Sequence, residues 1–488
     1  MSRRSVVPAG AVMRAGTALV VGATLAAGCA VGPAYRPALP VPEATRVGGG
    51  EHAGARADST RAFFDSLAMA RAADTAAAVP ARPAPQPPRS LAAAALADLS
   101  WLDILRDTAL TRLVEQALRQ NRDVALAQAR IDEYRALMGA ARAPLLPSVS
   151  VNGSASKNQI ALGAIPPVAY TAYRLTGDLA WELDFWGKNR RGLQAATADE
   201  AAQEAAARGA VLSLVSDVAG GYLQLLELDQ EHAVAEQTLA SRRATLALAR
   251  ERFARGVISE LDVRQFEAQV AVPAARLAQV EQLRSQQEHA LDVLLGEGPA
   301  PIPRGVSLAA AARGVTVPDS IPAALLARRP DVEQAERAYA AASARIGVAD
   351  AARLPTVSIT GSYGSQTATP GALFGAGGTV YTLLAGVSVP IFTGGRLSDQ
   401  ARAARARADE ARAAYERTVL AALGEAGDAL AGVRSARDVA AAEETQAVAL
   451  RRALELAELR YGSGVSGYLE VLDAERGLFE AELAASQA

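Results

Sequence analysis

Leu146-Pro147-Ser148-Val149-Ser150 returns 208 positions later as Leu354-Pro355-Thr356-Val357-Ser358. The same shift carries Asp123-Val124 onto Asp331-Val332, Gly139 onto Gly347, Tyr173 onto Tyr381 and Gly187 onto Gly395. It also carries Val211-Leu212 onto Val419-Leu420, Phe253 onto Tyr461 and Gly256 onto Gly464. One offset holds without a gap from residue 123 onward, so the chain is a tandem duplication whose halves must fold as the same string of elements. Each copy reads helix, strand, strand, long helix, short turn, helix. Residues 99–300 form the first copy, 301–327 a linker and 328–488 the second.

The strands show two-residue alternation. Val149, Val151 and Ala155 face one way, and Ser148, Ser150, Asn152 and Ser156 the other. From residue 171, Tyr173, Leu175, Leu179, Trp181, Leu183 and Phe185 alternate with Arg174, Thr176, Asp178, Glu182 and Asp184. The second copy repeats the pattern with Val357 and Ile359, then Tyr381, Leu383, Val387, Val389 and Ile391. Strands of roughly 10 to 14 residues cross a bilayer when tilted. Between Lys188 and Ala254, and between Leu397 and Tyr461, there is no proline. Each stretch predicts a helix roughly 90 to 100 Å long. Gly220-Gly221 is expected to soften the first, and Pro273 to kink the helix after the turn. Small apolar residues spread around these helices suit close packing on both sides.

Four strands with an apolar face cannot close a barrel, for which about eight is the minimum. An open edge in hydrocarbon leaves N–H and C=O groups unpaired at several kcal/mol each. The edges must therefore pair with other copies. Two chains would give a filled barrel and three a wider one, and the polar inward face favours the water-filled case.

Arg3, Arg4 and Arg14 precede an uncharged run from Ala15 to Gly28, ending Leu25-Ala26-Ala27-Gly28-Cys29. This reads as a secretory signal over residues 1–28, too short for a comfortable span, and no second run of about 18 apolar residues follows. Cys29, the only cysteine, stands where a lipobox cysteine is acylated, with Leu25 one position early. Several acyl chains would anchor it stably in outer-membrane lipid, at about 0.8 kcal/mol per buried CH₂. In such lipoproteins an Asp after the cysteine tends to retain the protein at the inner membrane; Ala30 there favours outward export. Residues 29–98 make a lipidated N-terminus and tether; from residue 43 the Ala/Pro-rich composition cannot bury enough apolar surface to order itself.

Composition disfavours chemistry. Three His, far apart, and one Cys offer no metal-ligand spacing, so no metal or cofactor is expected. Lys+Arg 50 against Asp+Glu 52 gives no basic footprint for nucleic acid. No P-loop, GxSxG or HExxH is present, and the excess of Ala belongs to long helices.

These residues resemble the outer-membrane factors, the TolC-like channels, and within them the lipidated branch typified by OprM and NodT proteins. The resembling pieces are Cys29-Ala30-Val31-Gly32-Pro33 with Tyr35, Arg36 and Pro37; Trp101 to Asp123; and Trp181-Glu182-Leu183-Asp184-Phe185. Others are Leu326-Ala327-Arg328-Arg329-Pro330-Asp331, Pro390-Ile391-Phe392 with Gly394-Gly395-Arg396, and Tyr461 through Asp473. The resemblance implies an α+β membrane protein: a homotrimer whose twelve-stranded outer-membrane β-barrel, four strands per chain, continues into a long periplasmic α-helical barrel. It implies the passive exit duct of a tripartite pump, fed by an inner-membrane transporter of the resistance-nodulation-division class through a periplasmic adaptor, the membrane fusion protein. Two departures stand out: the tether is long for the family, and the first copy's last helix, ending near Leu295, would put the equivalent end near residue 503.

Arg252-Phe253-Ala254-Arg255-Gly256-Val257-Ile258-Ser259-Glu260-Leu261-Asp262 and Arg460-Tyr461-Gly462-Ser463-Gly464-Val465-Ser466-Gly467-Tyr468-Leu469-Glu470 form one turn pattern. Gly256 and Gly464 suit a left-handed position after a helix, and Ser259 with Asp262 reads as a capping-box start. Capping alone accounts for Asp262. The resemblance adds that these turns form the periplasmic tip, where Asp262, Glu470 and Asp473 would line the gate. Threefold symmetry would gather them into cation-attracting rings. Gly256, Ser259, Gly464 and Ser466 would lie near the adaptor's helical hairpin. Some relatives carry a basic residue where Ser466 stands, so a lock to the acid matching Asp262 is missing. Three other readings stay open: an exit duct for ABC-type protein secretion, a trimeric envelope scaffold that conducts nothing, and an enzyme.

Overall fold

The computed structural model describes residues 32, 46–47, 107–162, 165–312, 317, 320–375, 377–463 and 465–488. Cys29, the signal, nearly all of the tether and Gly464 lie outside them. The first copy comprises α1 (Thr108–Gln120), α2 (Arg122–Arg142), β1 (Ser148–Leu162), β2 (Ile165–Leu183), α3 (Lys188–Ala254) and α4 (Glu260–Leu295). The second comprises α5 (Pro330–Ala351), β3 (Thr356–Thr367), β4 (Thr379–Ser388), α6 (Arg396–Gly462) and α7 (Tyr468–Gln487). Between them lies a short helix at Leu308–Ala312, and Ile321–Pro322 pairs antiparallel with Arg46–Val47.

The four long strands form one antiparallel sheet in chain order, β1-β2-β3-β4. Ser148 pairs with Ala180 in the first hairpin and Thr356 with Ser388 in the second, so the shift of 208 carries strand register as well as sequence. Up to the register shift at Ile160/Leu162, even-numbered residues share one face: Asn152 pairs with Thr176, Asp178 with Ser362, and Ser362 with Thr382. On that polar face Asp178 accepts hydrogen bonds from Asn152 Nδ2 (2.6 Å) and Thr176 Oγ1 (3.2 Å), while Glu182 pairs with Lys188 at 2.8 Å. Val149, Val151, Tyr363, Tyr381, Leu383 and Val387 stand exposed on the other. β1 and β2, at 15 and 19 residues, exceed the expected length, because beyond Tyr173 the β1–β2 hairpin continues without pairing to β3.

α3 and α6 each run 67 residues unbroken, as the proline-free stretches predict. α3 continues as helix through Gly220-Gly221. The glycine there serves close packing: a Cβ on Gly221 would meet Gln287 Nε2 at 2.8 Å and Leu291 Cδ2 at 3.1 Å on α4. Gln287 Nε2 donates to the Gly221 carbonyl at 3.0 Å. Likewise α4 continues through a buried Pro273. Packing against α4 thus closes round the backbone that glycine leaves bare. α3 also carries a stretch long and apolar enough to cross a membrane, contrary to the sequence count. Its Val211, Leu214, Val215, Val218, Tyr222 and Leu225 instead build the main core with Leu110, Leu113, Val114 and Leu118 of α1 and Leu291 and Leu295 of α4.

One buried polar knot ties this core. Asp107 caps α1 through Ala109 N (2.8 Å) and Leu110 N (3.2 Å), and accepts from Tyr222 Oη (2.9 Å) and Val306 N (3.1 Å). Tyr222 Oη in turn accepts from Gly305 N at 2.8 Å. Burial pushes the Asp107 carboxyl up, but these hydrogen bonds outweigh it and hold the carboxyl below its ordinary value.

Candidate functional site: the tip of the helical hairpins

Both hairpins end far along the helices from the sheet, and each turn follows from its caps. α3 stops where Gly256 takes φ 71°, a left-handed conformation that costs other residues strain. Gly256 N then donates to the Phe253 carbonyl at 2.8 Å and Val257 N to that of Arg252 at 2.9 Å. α4 starts with the expected capping box: Asp262 N donates to Ser259 Oγ (3.3 Å), and Ser259 N (2.9 Å) and Oγ (2.8 Å) donate to Asp262 Oδ2. The Asp262 carboxylate is thus occupied with its own turn. Gly256 and Ser259 are exposed on it.

The second turn is built differently. Gly467 caps α7 with extended backbone and no side-chain bond, and Val465 N donates to the Arg460 carbonyl at 3.0 Å. Glu470, in the first turn of α7, pairs with Arg460 Nε at 3.4 Å, with both side chains about half exposed. Asp473 is exposed one turn further on. The structure thus brings Glu470 and Asp473 onto one side of α7, with Asp262 held in the other hairpin. Ser466 Oγ is buried without a hydrogen-bond partner among the described residues.

Tyr468 joins the two hairpins, and sequence reasoning missed it. Its ring lies 4.0 Å from that of Phe266 on α4 and 5.6 Å, edge-on, from that of Tyr461 on α6. Phe266 belongs to a small core with Leu246, Ala249 and Val263, against which Ile258, Val270 and Tyr468 pack. Arg252 of α3 donates to Tyr461 Oη at 3.0 Å and sits over that ring at 5.5 Å, a cation–π contact. Deeper in, the buried Arg242 donates to the Gln269 carbonyl (2.9 Å) and Oε1 (3.0 Å) and lies 5.5 Å over the ring of Phe479 on α7. Burial pushes the neighbouring Glu475 carboxyl up against the opposing pull of Arg242, with Glu458 adding to the rise. The legible signal was a break in the repeat: Tyr468 stands where the first copy has Glu260, and Leu450 stands where it has Arg242.

The geometry offers a hydrophobically pinned tip with acids on its exposed side. Among the described residues no group of three or more His, Cys, Asp or Glu is arranged to hold a metal ion.

The family profile for outer membrane efflux proteins matches residues 113–297 and 321–488. The chain belongs to the outer membrane efflux protein family. Among its relatives, the toluene efflux pump outer membrane protein TtgC of Pseudomonas putida is 34% identical over 419 residues, covering 84% of this chain and 86% of that one. Outer membrane protein OprJ of Pseudomonas aeruginosa is 35% identical over 400 residues, covering 80% and 83%. The solved outer-membrane channel OprN superposes with a TM-score of 0.78 at 29% identity, covering 94% of this chain and 95% of that one. The open state of the Neisseria gonorrhoeae MtrE outer membrane channel gives 0.72 at 30% identity, covering 78% and 85%. As a member of this family, the protein is an outer-membrane channel of the efflux type, with the sheet as its membrane portion and the long helices in the periplasm.

Proposed function

We propose that this protein is the passive exit duct of a tripartite efflux pump, expelling drugs or other small molecules delivered by an inner-membrane transporter of the resistance-nodulation-division class through a periplasmic adaptor. Three copies contribute four strands each to a twelve-stranded barrel, and Cys29 carries the acyl anchor. The observation that carries the reading is the sheet itself. One face is polar, with Asn152, Asp178 and Glu182, and the other exposes Val149, Val151, Leu383 and Val387; two 67-residue helices continue from it. A polar face turned to a water-filled lumen and an apolar face turned to lipid is the arrangement a conducting barrel needs. The duct itself catalyses nothing.

Within this reading Asp262, Glu470 and Asp473 form the constriction, and Gly256, Ser259, Gly464 and Ser466 meet the adaptor. Threefold repetition of Glu470 and Asp473 concentrates negative charge at the entrance and draws cations into it. The test is single-channel conductance of the purified protein in a planar bilayer. Wild type is expected to show a small, cation-preferring conductance that rises, and loses cation preference, in Glu470→Ala/Asp473→Ala. Unchanged conductance in the double variant removes the gate assignment. No conductance in either, from protein that is trimeric, removes the duct.

A further inference from the structure

Gly32 is fastened to the body of the protein from two sides. Its carbonyl accepts a hydrogen bond from Arg191 Nη2 of α3 at 3.0 Å. Its backbone also lies against α5: a Cβ on Gly32 would meet Gly347 Cα at 2.5 Å and Gly347 N at 3.1 Å. Gly32 takes φ 111°, a conformation that strains any other residue. Glycine is therefore required here twice, by its own backbone and by the helix it touches. This accounts for a residue of Cys29-Ala30-Val31-Gly32-Pro33 that acylation of the cysteine leaves unexplained.

Arg191 is set apart for this contact. Its neighbour Arg190 is held by Asp184, through Nε to Oδ2 at 3.3 Å and Nη2 to the carbonyl at 3.1 Å. Arg191 has no carboxylate within ion-pair distance among the described residues. Its Nη1 donates to Gln194 Oε1 at 3.0 Å, and its Nε is buried without a partner among them. A half-buried cation needs acceptors for its N–H groups, and the Gly32 carbonyl supplies one. The shift of 208 carries Arg191 onto Asp399, which accepts from Arg402 and Ser398 instead. It pairs Gly347 with Gly139, where a Cβ would meet nothing within 4 Å. A carboxylate repels a carbonyl oxygen, so the other half of the repeat offers no equivalent seat.

We propose that Arg191 and the bare backbone at Gly347 form a seat for the chain's own N-terminal segment, and that Arg191 is the positioning residue of the acyl anchor on Cys29. Three residues separate Cys29 from Gly32, so with Gly32 seated the Cys29 Cα lies within about 11 Å of it. Arg191 is three residues from the start of α3 and Gly347 four from the end of α5. The seat therefore lies about 4 to 6 Å along the helices from their ends nearest the sheet. The reach of the anchor includes the ends of β2 and β3 and little beyond them. Without the seat, the next tie of this segment among the described residues is the pairing of Arg46–Val47 with Ile321–Pro322. Seventeen residues then separate Cys29 from the body, a reach of about 60 Å, and the anchor no longer fixes the barrel to its leaflet.

The inference rests on the acylation of Cys29 proposed above, and thiol labelling separates the two. Val31→Cys is labelled with a nitroxide in the purified full-length protein in lipid vesicles. A thioether at Cys29 leaves only the introduced thiol free to react. The label is expected to be immobilised on the nanosecond timescale. Arg191→Ala and Gly32→Ala are each expected to remove the immobilised component, and the two together to remove no more, since both release one segment. Arg191→Lys, which keeps a charge and a donor, is expected to restore part of it. Gly32→Ala lies outside α3 and α5, so its effect does not come from misfolding of the body. An immobilised component that survives both alanine variants overturns the seat, with the anchor intact. Its loss in Arg191→Ala alone reads a disturbance of α3 and overturns the seat as well. Uptake of label by protein without the introduced cysteine shows a free Cys29 thiol, and overturns the acylation and the positioning role together.

Discussion

Tyr468 allows the packing of the tip to be separated from its polar chemistry with two substitutions of opposite expected sign. Its ring bridges Phe266 and Tyr461, but its hydroxyl oxygen is buried with no hydrogen-bond partner among the described residues. Tyr468→Ala removes the ring that links α7 to α4 and α6. Truncating a fully buried aromatic costs about 3 to 5 kcal/mol, and the partly buried Tyr468, its two ring pairs included, about 2 to 3 kcal/mol. Because the ring connects the hairpins, the loss is local. Opening of the tip should become more frequent by about one and a half to two powers of ten. Tyr468→Phe keeps the ring and deletes only the unpaired hydroxyl. A buried polar group without a partner carries about 1 to 3 kcal/mol of desolvation penalty, of which we expect about 1 kcal/mol to be recovered, roughly a fivefold slowing of opening. Burial also pushes the hydroxyl's pKa up, so it is not lost as a proton donor in the ordinary range. Hydrogen exchange of peptides spanning 460–475, measured against peptides of α1 as an internal reference, reads both effects. Conductance should follow, with higher leak in Tyr468→Ala and no increase in Tyr468→Phe. If Tyr468→Phe loosens the tip as Tyr468→Ala does, the hydroxyl is bonded, across the seam to another copy, and the reasoning fails.

Glu227 gives a pH dependence. Burial first, then the neighbouring Glu231, push its carboxyl up to about 7 from an ordinary 4.5, against the pull of Arg276. Glu231 itself is buried, accepting from Arg276 Nη2 at 2.5 Å and Gln487 Nε2 at 2.7 Å. A raised carboxyl binds its proton better in the folded state, so its contribution to stability is complete below about pH 4.5 and is lost as pH rises through 7. Melting temperature should therefore fall from pH 5 to 7.5 by a component that Glu227→Gln abolishes; an unaltered slope in that variant refutes the assignment. Asp107→Ala removes the α1 cap and strands the Tyr222 hydroxyl and Val306 N–H, so a loss of about 2 to 4 kcal/mol is expected in thermal or denaturant unfolding. Adding Tyr222→Phe should cost less than it does alone, since the two share a bond. Cys29→Ser should abolish acylation, and continued incorporation of labelled fatty acid in that variant would disprove the anchor.

How much of this was legible in the sequence depends on whether the repeat holds at a position. Where it holds, local rules suffice: Gly187 and Gly395 both adopt positive φ before the long helices. The proline-free stretches mark both 67-residue helices, and alternation separates Asn152, Thr176 and Asp178 from Val149, Val151 and Leu383. Ser259 and Asp262 cap as their spacing foretold, because a capping box needs no residue beyond one turn. What stayed hidden depends on residues distant in sequence. Tyr468 against Phe266, and Arg242 over Phe479, join elements some two hundred positions apart, and no periodicity encodes such pairs. Yet they leave a trace, for they fall where the copies disagree, Tyr468 against Glu260 and Arg242 against Leu450. The reason is geometric. A contact made within a copy has an equivalent place in the other copy inside the same chain, whether or not its residues are kept: Ser259 and Asp262 are matched by Gly467 and Glu470. A contact from one copy to the other inside the chain has its equivalent only across the boundary between chains, and the two are free to diverge. At the tip they diverged toward an aromatic pin inside the protomer and left the equivalent seam position to Glu260. If the tip is the constriction proposed above, its opening would begin at the seams between chains, with each protomer's hairpins moving as the pinned pair that Tyr468 holds together.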